Sequence, residues 1–166
     1  YKGIEYLVEA ISQLKDVRLV IAGRGPEQAK CRQAIVSLGL EDRVDLVGKI
    51  DDDELRALYH ACECFVLPSI SRAESFGIVL AEAMACGRPV ISTDIATGTS
   101  YINVDGETGY VVPPRDATAL AKSIARVLDD ADIQRQLGSR GRRRAKTFFG
   151  TDNILDQTIR LYDKIV

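Results

Sequence analysis

Glu74 and Glu82 stand with seven residues between them, around the short turn Ser75-Phe76-Gly77, and this run is richer in chemistry than any other part of the chain. From Ile78 the sequence reads as a helix stopped by Gly87, so Ser75 through Val79 lie at a helix start. Free backbone N–H groups and about half a positive charge gather there, which suits a phosphate. A carboxylate just before or within that helix can accept hydrogen bonds from sugar hydroxyls. An anion cradle beside hydroxyl acceptors is the chemistry of a nucleotide-sugar site. Spacing alone leaves open the blander alternative of two surface glutamates on a helix edge. A glycosidase pair is disfavoured, because hydrolysis needs two carboxyls facing each other across the sugar.

Two more loops follow short apolar runs and open helices. Gly23-Arg24-Gly25-Pro26 lacks the third glycine of a dinucleotide fingerprint, since Gln28 stands at that place. It reads either as a tight turn or as a glycine-lined wall that lets a ligand approach the backbone. In Gly48-Lys49-Ile50-Asp51-Asp52, the backbone by Gly48 and Ile50 could meet the edge of a flat base. Asp51 or Asp52 could equally serve only as a helix cap, and the two roles are compatible.

The elements that must position these loops alternate along the chain. Ile4, Leu7, Val8, Ile11 and Leu14 recur at helical spacing. Strands are predicted at 17–23, 44–48, 64–67, 89–92 and 109–112. Helices are predicted from Pro26 to about Leu38, from Asp51 or Asp52 through Cys62, and over Ile78–Cys86. The segment from Asp94 through Ser100 reads as a loop, with a turn-like stretch to Gly106. Three helices close the chain, over Asp116–Leu128, Ala131–Phe148 and Asp152–Ile165. Strands separated by amphipathic helices predict an α/β fold, a Rossmann-like doubly wound parallel sheet with helices on both faces and a helical C-terminal end. In such sheets ligands bind past the carboxyl ends of the strands, where the three loops fall.

At 166 residues the chain is long enough for one domain with a sizeable core. Its net charge of −2 gives no reason to expect nucleic acid as a partner. The opening Tyr1-Lys2-Gly3-Ile4 lacks an initiator Met and reads as a start inside a longer protein, just after a strand. Cys31, Cys62, Cys64 and Cys86 lack zinc-knuckle spacing and read as structural thiols of a reducing cytoplasm. His60, the lone histidine, reads as a surface or helix-end residue. The run Arg140-Gly141-Arg142-Arg143-Arg144-Ala145-Lys146 reads as a solvated helical face. A patch for peripheral membrane contact, at the inner face of a membrane, is the sharper alternative.

Several segments together carry a resemblance. They are Lys2-Gly3, Ile21 through Glu27, Val47-Gly48-Lys49-Ile50, Phe65 through Ser69, Glu74 through Pro89, and Asp105 through Pro114. In order and spacing the chain resembles the C-terminal, donor-binding domain of retaining GT-B glycosyltransferases of the group 1 family, also called family 4. The resemblance implies one donor-binding domain over 1–166, with an N-terminal acceptor domain outside these residues as its partner. It implies that Glu74 lies beside the donor sugar and supports charge in the transition state. Glu82 would accept both ribose hydroxyls, and Ser75, Phe76, Gly77, Ile78 and Val79 would hold sugar and pyrophosphate oxygens. Lys2 would neutralise the diphosphate, normally with an arginine that precedes it in the family. Gly23 and Gly25 would line the donor site, and the base would sit by Gly48 and Ile50.

The donor would be a UDP-, GDP- or ADP-sugar, and the acceptor a glycan or lipid-linked chain of polysaccharide biosynthesis. No metal and no cofactor are implied. One loop departs from the family: Ile95 through Asn103 lacks the Gly-Gly turn and Pro-Glu of many relatives. The rival readings are a nucleotide-sugar binding module without catalysis, or another GT-B enzyme such as an epimerase or phosphorylase. An epimerase would be expected to carry acid/base histidines, and a phosphorylase a cofactor lysine in a different local pattern.

Overall fold

Short β-branched runs followed by amphipathic helices fold into parallel strands joined by crossover helices. The computed structural model describes residues 1–164. Its elements are α1 (Ile4–Ser12), β1 (Leu19–Ala22), α2 (Gln28–Ser37), β2 (Val44–Gly48), α3 (Asp52–Ala61), β3 (Phe65–Leu67) and α4 (Ile78–Ala85). They continue as β4 (Val90–Thr93), α5 (Thr99–Ile102), β5 (Gly109–Val112), α6 (Ala117–Leu128), α7 (Ala131–Phe149) and α8 (Thr151–Tyr162). Ile165, the expected last residue of the final helix, lies outside the described residues.

All paired strands run parallel, in two hydrogen-bonded groups: β1 with β2, and β4 between β3 and β5. Register and alternation then sort the side chains onto two faces. Val66, Ile91 and Tyr110 stand side by side and join a core with α1, α2 and α6. Phe65, Leu67 and Val90 point the other way, onto Tyr59 of α3 and the helices α4 and α7. Helices therefore cover both faces of a Rossmann-like fold.

Local chemistry sets the boundaries. Asp51 caps α3 in a reciprocal capping box with Glu54. Asp116 and Asp130 cap α6 and α7. Gly87, at φ +77°, follows the end of α4 in the left-handed region.

Two expectations change. Pro26 lies in the turn before α2, with the Gly25 carbonyl accepting from the Gln28 N–H at 3.2 Å, so the helix begins after it. Residues 99–102 form the helical turn α5, across the junction of the expected loop and the expected turn-like stretch. Burial of Ile102 and Asn103 anchors that turn, a tertiary effect that its polar sequence does not announce. Helix α8 leaves Ile154, Leu155, Ile159 and Leu161 exposed.

The cysteines are all free, as their spacing implies. Cys64 is partly exposed as a residue, yet burial of its thiol pushes the pKa up to about 12. The thiol holds its proton more tightly in the fold than in the unfolded chain. Its contribution to stability is therefore full below the ordinary thiol pKa of 9.0 and is lost as pH rises toward 12. We expect iodoacetamide at mildly alkaline pH to leave Cys64 unmodified in the native chain and to modify it in denaturant, read by peptide mass mapping. Rapid native labelling would contradict this.

Candidate functional site

Lys2 reaches the site because Gly3 has no side chain. Gly3 lies at φ +65°, and a Cβ there would fall 2.2 Å from the Pro68 carbonyl oxygen. The Tyr1 carbonyl also accepts from the Ile70 N–H at 2.9 Å, which lays the first residues along the segment leaving β3. The Lys2 ammonium consequently forms an ion pair with the Glu74 carboxylate, across 72 positions of sequence. Glu74 is only 9% exposed, and the Ser69 hydroxyl donates to the same carboxylate oxygen at 3.3 Å. Ser69 is itself held through its carbonyl by the Thr93 hydroxyl. A buried carboxylate needs such partners, since an unpaired charge out of water is costly.

The loop from Ser75 turns directly into α4. Gly77 is the N-cap residue at φ +78°, and a Cβ there would stand 3.0 Å from Thr99 and 3.1 Å from Leu67. Gly98 is equally constrained, because a Cβ would lie 2.5 Å from the Phe76 ring, and its N–H donates to the Ser75 carbonyl at 2.9 Å. The departing loop thus packs on the very turn that carries Ser75, Phe76 and Gly77. Asn103 locks that loop: its amide donates to Ser92 at 2.9 Å and accepts from Thr108 at 2.9 Å. Among the described residues, the N–H groups of Phe76, Gly77, Ile78 and Val79 donate to no protein acceptor. Free N–H donors at a helix start carry partial positive charge and suit an anion.

Glu82 follows on α4, exposed, and accepts from the Tyr59 hydroxyl at 3.0 Å. Burial first, then the Glu82 charge and hydrogen bond, raises the Tyr59 pKa, so the phenol remains a donor. Farther along the same end, the Gly23 N–H donates to the Gly48 carbonyl at 2.7 Å. Gly23 and Gly25 face open space, and the Arg24 guanidinium lies 3.7 Å from where a Gly48 Cβ would be. Ile50 is half-buried just before the α3 cap, and the Asp51 side chain is occupied by capping.

The fold therefore joins Lys2 with Glu74, Ser75 and Phe76 with Gly98, and Gly23 with Gly48. Among the described residues no hydrogen bond or ion pair links the Gly23–Gly48 wall to Glu74 or Glu82. What these groups share is a position past the carboxyl ends of β1, β2 and β3. Ser69 and Tyr59 were missed by sequence reasoning. Ser69 closes the segment Phe65–Ser69, and the irregular loop between it and Glu74, five residues on, gives no periodicity that would announce their contact. Tyr59 could have been flagged as a polar-tipped aromatic within the helix predicted through Cys62. Among the described residues, no three His, Cys, Asp or Glu side chains converge as a metal site would require.

The model of the family described as "Glycosyl transferases group 1" matches residues 1–144. The O-antigen chain mannosyltransferase C of Escherichia coli is 34% identical over 166 residues, covering 100% of this chain and 44% of that protein. The chain thus spans less than half of that relative's length. Anabaena Alr3699/HepE, solved in complex with UDP, superposes with a TM-score of 0.91 at 28% identity, over 99% of this chain and 46% of that one. The C-terminal domain of a group 1 glycosyl transferase protein (LpcC) from Francisella tularensis gives a TM-score of 0.79 at 27% identity, over 90% of this chain and 80% of that one.

Proposed function

Because the chain belongs to the group 1 glycosyl transferases, we propose that it is the donor-binding half of a retaining GT-B enzyme. The whole protein transfers a hexose from a nucleotide-diphosphate sugar to a glycan or lipid-linked acceptor on the cytoplasmic side of a membrane. The observation that carries this reading is the meeting of Lys2 and Glu74 next to the unpartnered N–H groups at the start of α4. Leaving-group charge grows on the diphosphate as the glycosidic bond breaks. Donors already aimed at that charge stabilise the transition state more than the ground state.

In this reading Lys2 and the helix start take the diphosphate, and Glu74 faces the sugar with Ser69 holding its carboxylate. Glu82 accepts the ribose hydroxyls, with Tyr59 orienting it. Gly48 and Ile50 give their backbone to the base, while Gly23 and Gly25 form the open wall. No divalent metal enters, because lysine and helix N-terminus supply the positive charge. Relatives in the family whose names specify substrates support the sugar chemistry: one is a mannosyltransferase of O-antigen chains, and another a phosphatidyl-myo-inositol mannosyltransferase of Mycobacterium leprae. The acceptor half lies in the other domain, so this chain alone binds donor nucleotide weakly and has negligible transferase turnover.

Calorimetric titration with UDP, GDP and ADP tests the assignment. Binding of at least one in the millimolar range or tighter is expected, and weakening by about 10- to 100-fold in Glu82→Ala, the loss of hydrogen bonds to a charged group. Tyr59→Phe weakens it by about two- to tenfold, since the carboxylate remains but is less fixed. Neither loss should appear with a dideoxy nucleotide, which offers Glu82 nothing. Absence of binding by all three nucleotides would defeat the donor-site reading for this chain.

A further inference from the structure

The donor site leaves the most charged element of the chain unused. Helix α7 carries six of the 22 Lys and Arg residues and only one of the 24 Asp and Glu residues, in a protein of net charge −2. Its small and apolar residues, Leu137, Gly138, Gly141 and Ala145, are buried on the inner face. At 100° per residue, Arg135, Arg140, Arg142, Arg143 and Lys146 then fall on the opposite face, and all five are exposed. Among the described residues only Arg135 of these five has an ion-pair partner, Asp132 of the same helix. Concave surfaces of ≈ 680 and ≈ 600 Å³ flank the helix and share Arg143 as a common wall. The first is lined by Arg88, Arg135, Arg142, Arg143 and Lys146 with no acidic residue.

The face is also directed. Gly138 lies against the Gly87 carbonyl, where a Cβ would come within 2.2 Å, and Gly141 lies against Met84. At the far end the Phe149 ring meets Phe76 edge-on at 6.2 Å. Helix α7 therefore runs antiparallel to α4, and its cationic face leads to the rim of the turn that carries Ser75 and Gly77. At that rim Arg144 lies over the rings of Tyr101 and Phe148, which are 55% and 44% exposed. A straight cationic strip of about 16 Å, ending in exposed aromatics, matches a planar anionic surface with a headgroup layer. A nucleic acid duplex fits less well, since its grooved polyanionic surface offers no interfacial layer for the exposed Tyr101 and Phe148 rings.

We infer that the outward face of α7 docks the protein on a bilayer containing anionic phospholipid, with the Tyr101 and Phe148 rings at its end meeting the headgroup layer. The inference is independent of the donor-site reading. Each cation near an anionic leaflet contributes about fivefold to partitioning. Three of them together supply roughly 100-fold, in a form that salt weakens.

Co-sedimentation of the chain with vesicles tests it, using phosphatidylcholine alone or phosphatidylcholine with one third phosphatidylglycerol. Binding to the mixed vesicles only is expected, and it falls as sodium chloride is raised. The triple variant Arg142→Gln, Arg143→Gln, Lys146→Gln should bind roughly 100-fold less tightly. The charge-keeping triple Arg142→Lys, Arg143→Lys, Lys146→Arg should retain binding, which separates charge from folding. Removing three cations elsewhere, in Lys30→Gln, Arg32→Gln, Arg56→Gln, should leave vesicle binding unchanged. Equal partitioning to both vesicle types, or no binding to either, would overturn the inference. So would an equal loss in the two neutralised triples, or ready displacement from the vesicles by duplex DNA.

Discussion

Replacing Glu74 with Gln in the full-length transferase is expected to lower kcat by about 100- to 1000-fold, while the Kd for nucleoside diphosphate changes by no more than about threefold. The carboxylate is buried, fixed by Ser69 and paired with Lys2. Groups held this way need no reorganisation when charge develops on the sugar, which is when an interaction raises kcat. Gln keeps the shape and the contact with Ser69 but removes the negative charge. Lys2→Met should act differently, because in our reading the ammonium also meets the diphosphate. It should weaken nucleotide binding by about 10- to 100-fold and lower kcat as well. Steady-state kinetics and titration calorimetry on the same preparations separate the two effects. The double variant should lose less than the product of the single losses, since the two groups are partners. Near-normal kcat in Glu74→Gln would remove Glu74 from the reaction.

Gly3→Ala should be the most damaging single methyl near the site. At φ +65° an alanine costs about 1–2 kcal/mol in backbone strain alone. The added carbon would also meet a main-chain oxygen at 2.2 Å, which no side-chain rotation relieves. We expect about 3 kcal/mol of destabilisation in all. For a chain of this size that is a fall in Tm of about 6–12 °C, measured by calorimetry. Since Gly3 seats Lys2 on Glu74, residual nucleotide binding should fall in the folded fraction too. An unchanged Tm would show that the first residues do not lie along Pro68–Ile70.

Much of this was readable along the chain. The capping box at Asp51 and Glu54, the Gly87 stop and the short β-branched strands are local devices, in which sequence neighbours act on each other. Nearly every strand and helix boundary therefore fell within a few residues of expectation. The stretch holding α5 was read as a loop end and a turn-like segment but not as a helix, because burial of Ile102 and Asn103 against β4 and β5 is what sets its form. The run from Glu74 to Glu82 announced itself by spacing, yet Ser69 and Tyr59 did not: an irregular loop of five residues turns Glu74 back onto Ser69, and Tyr59 meets Glu82 only once α3 and α4 come together.

By itself the sequence determined the alternation of elements, the family, and which residues carry charge or hydrogen-bonding groups, because those depend on residue type and local periodicity. Tertiary structure alone decided that Lys2 finds Glu74, that Tyr59 finds Glu82, and that Gly98 closes on Phe76. Such pairings are set by strand register and by how closely glycine lets two backbones approach. They lie between segments tens of residues apart, where no local pattern constrains the distance.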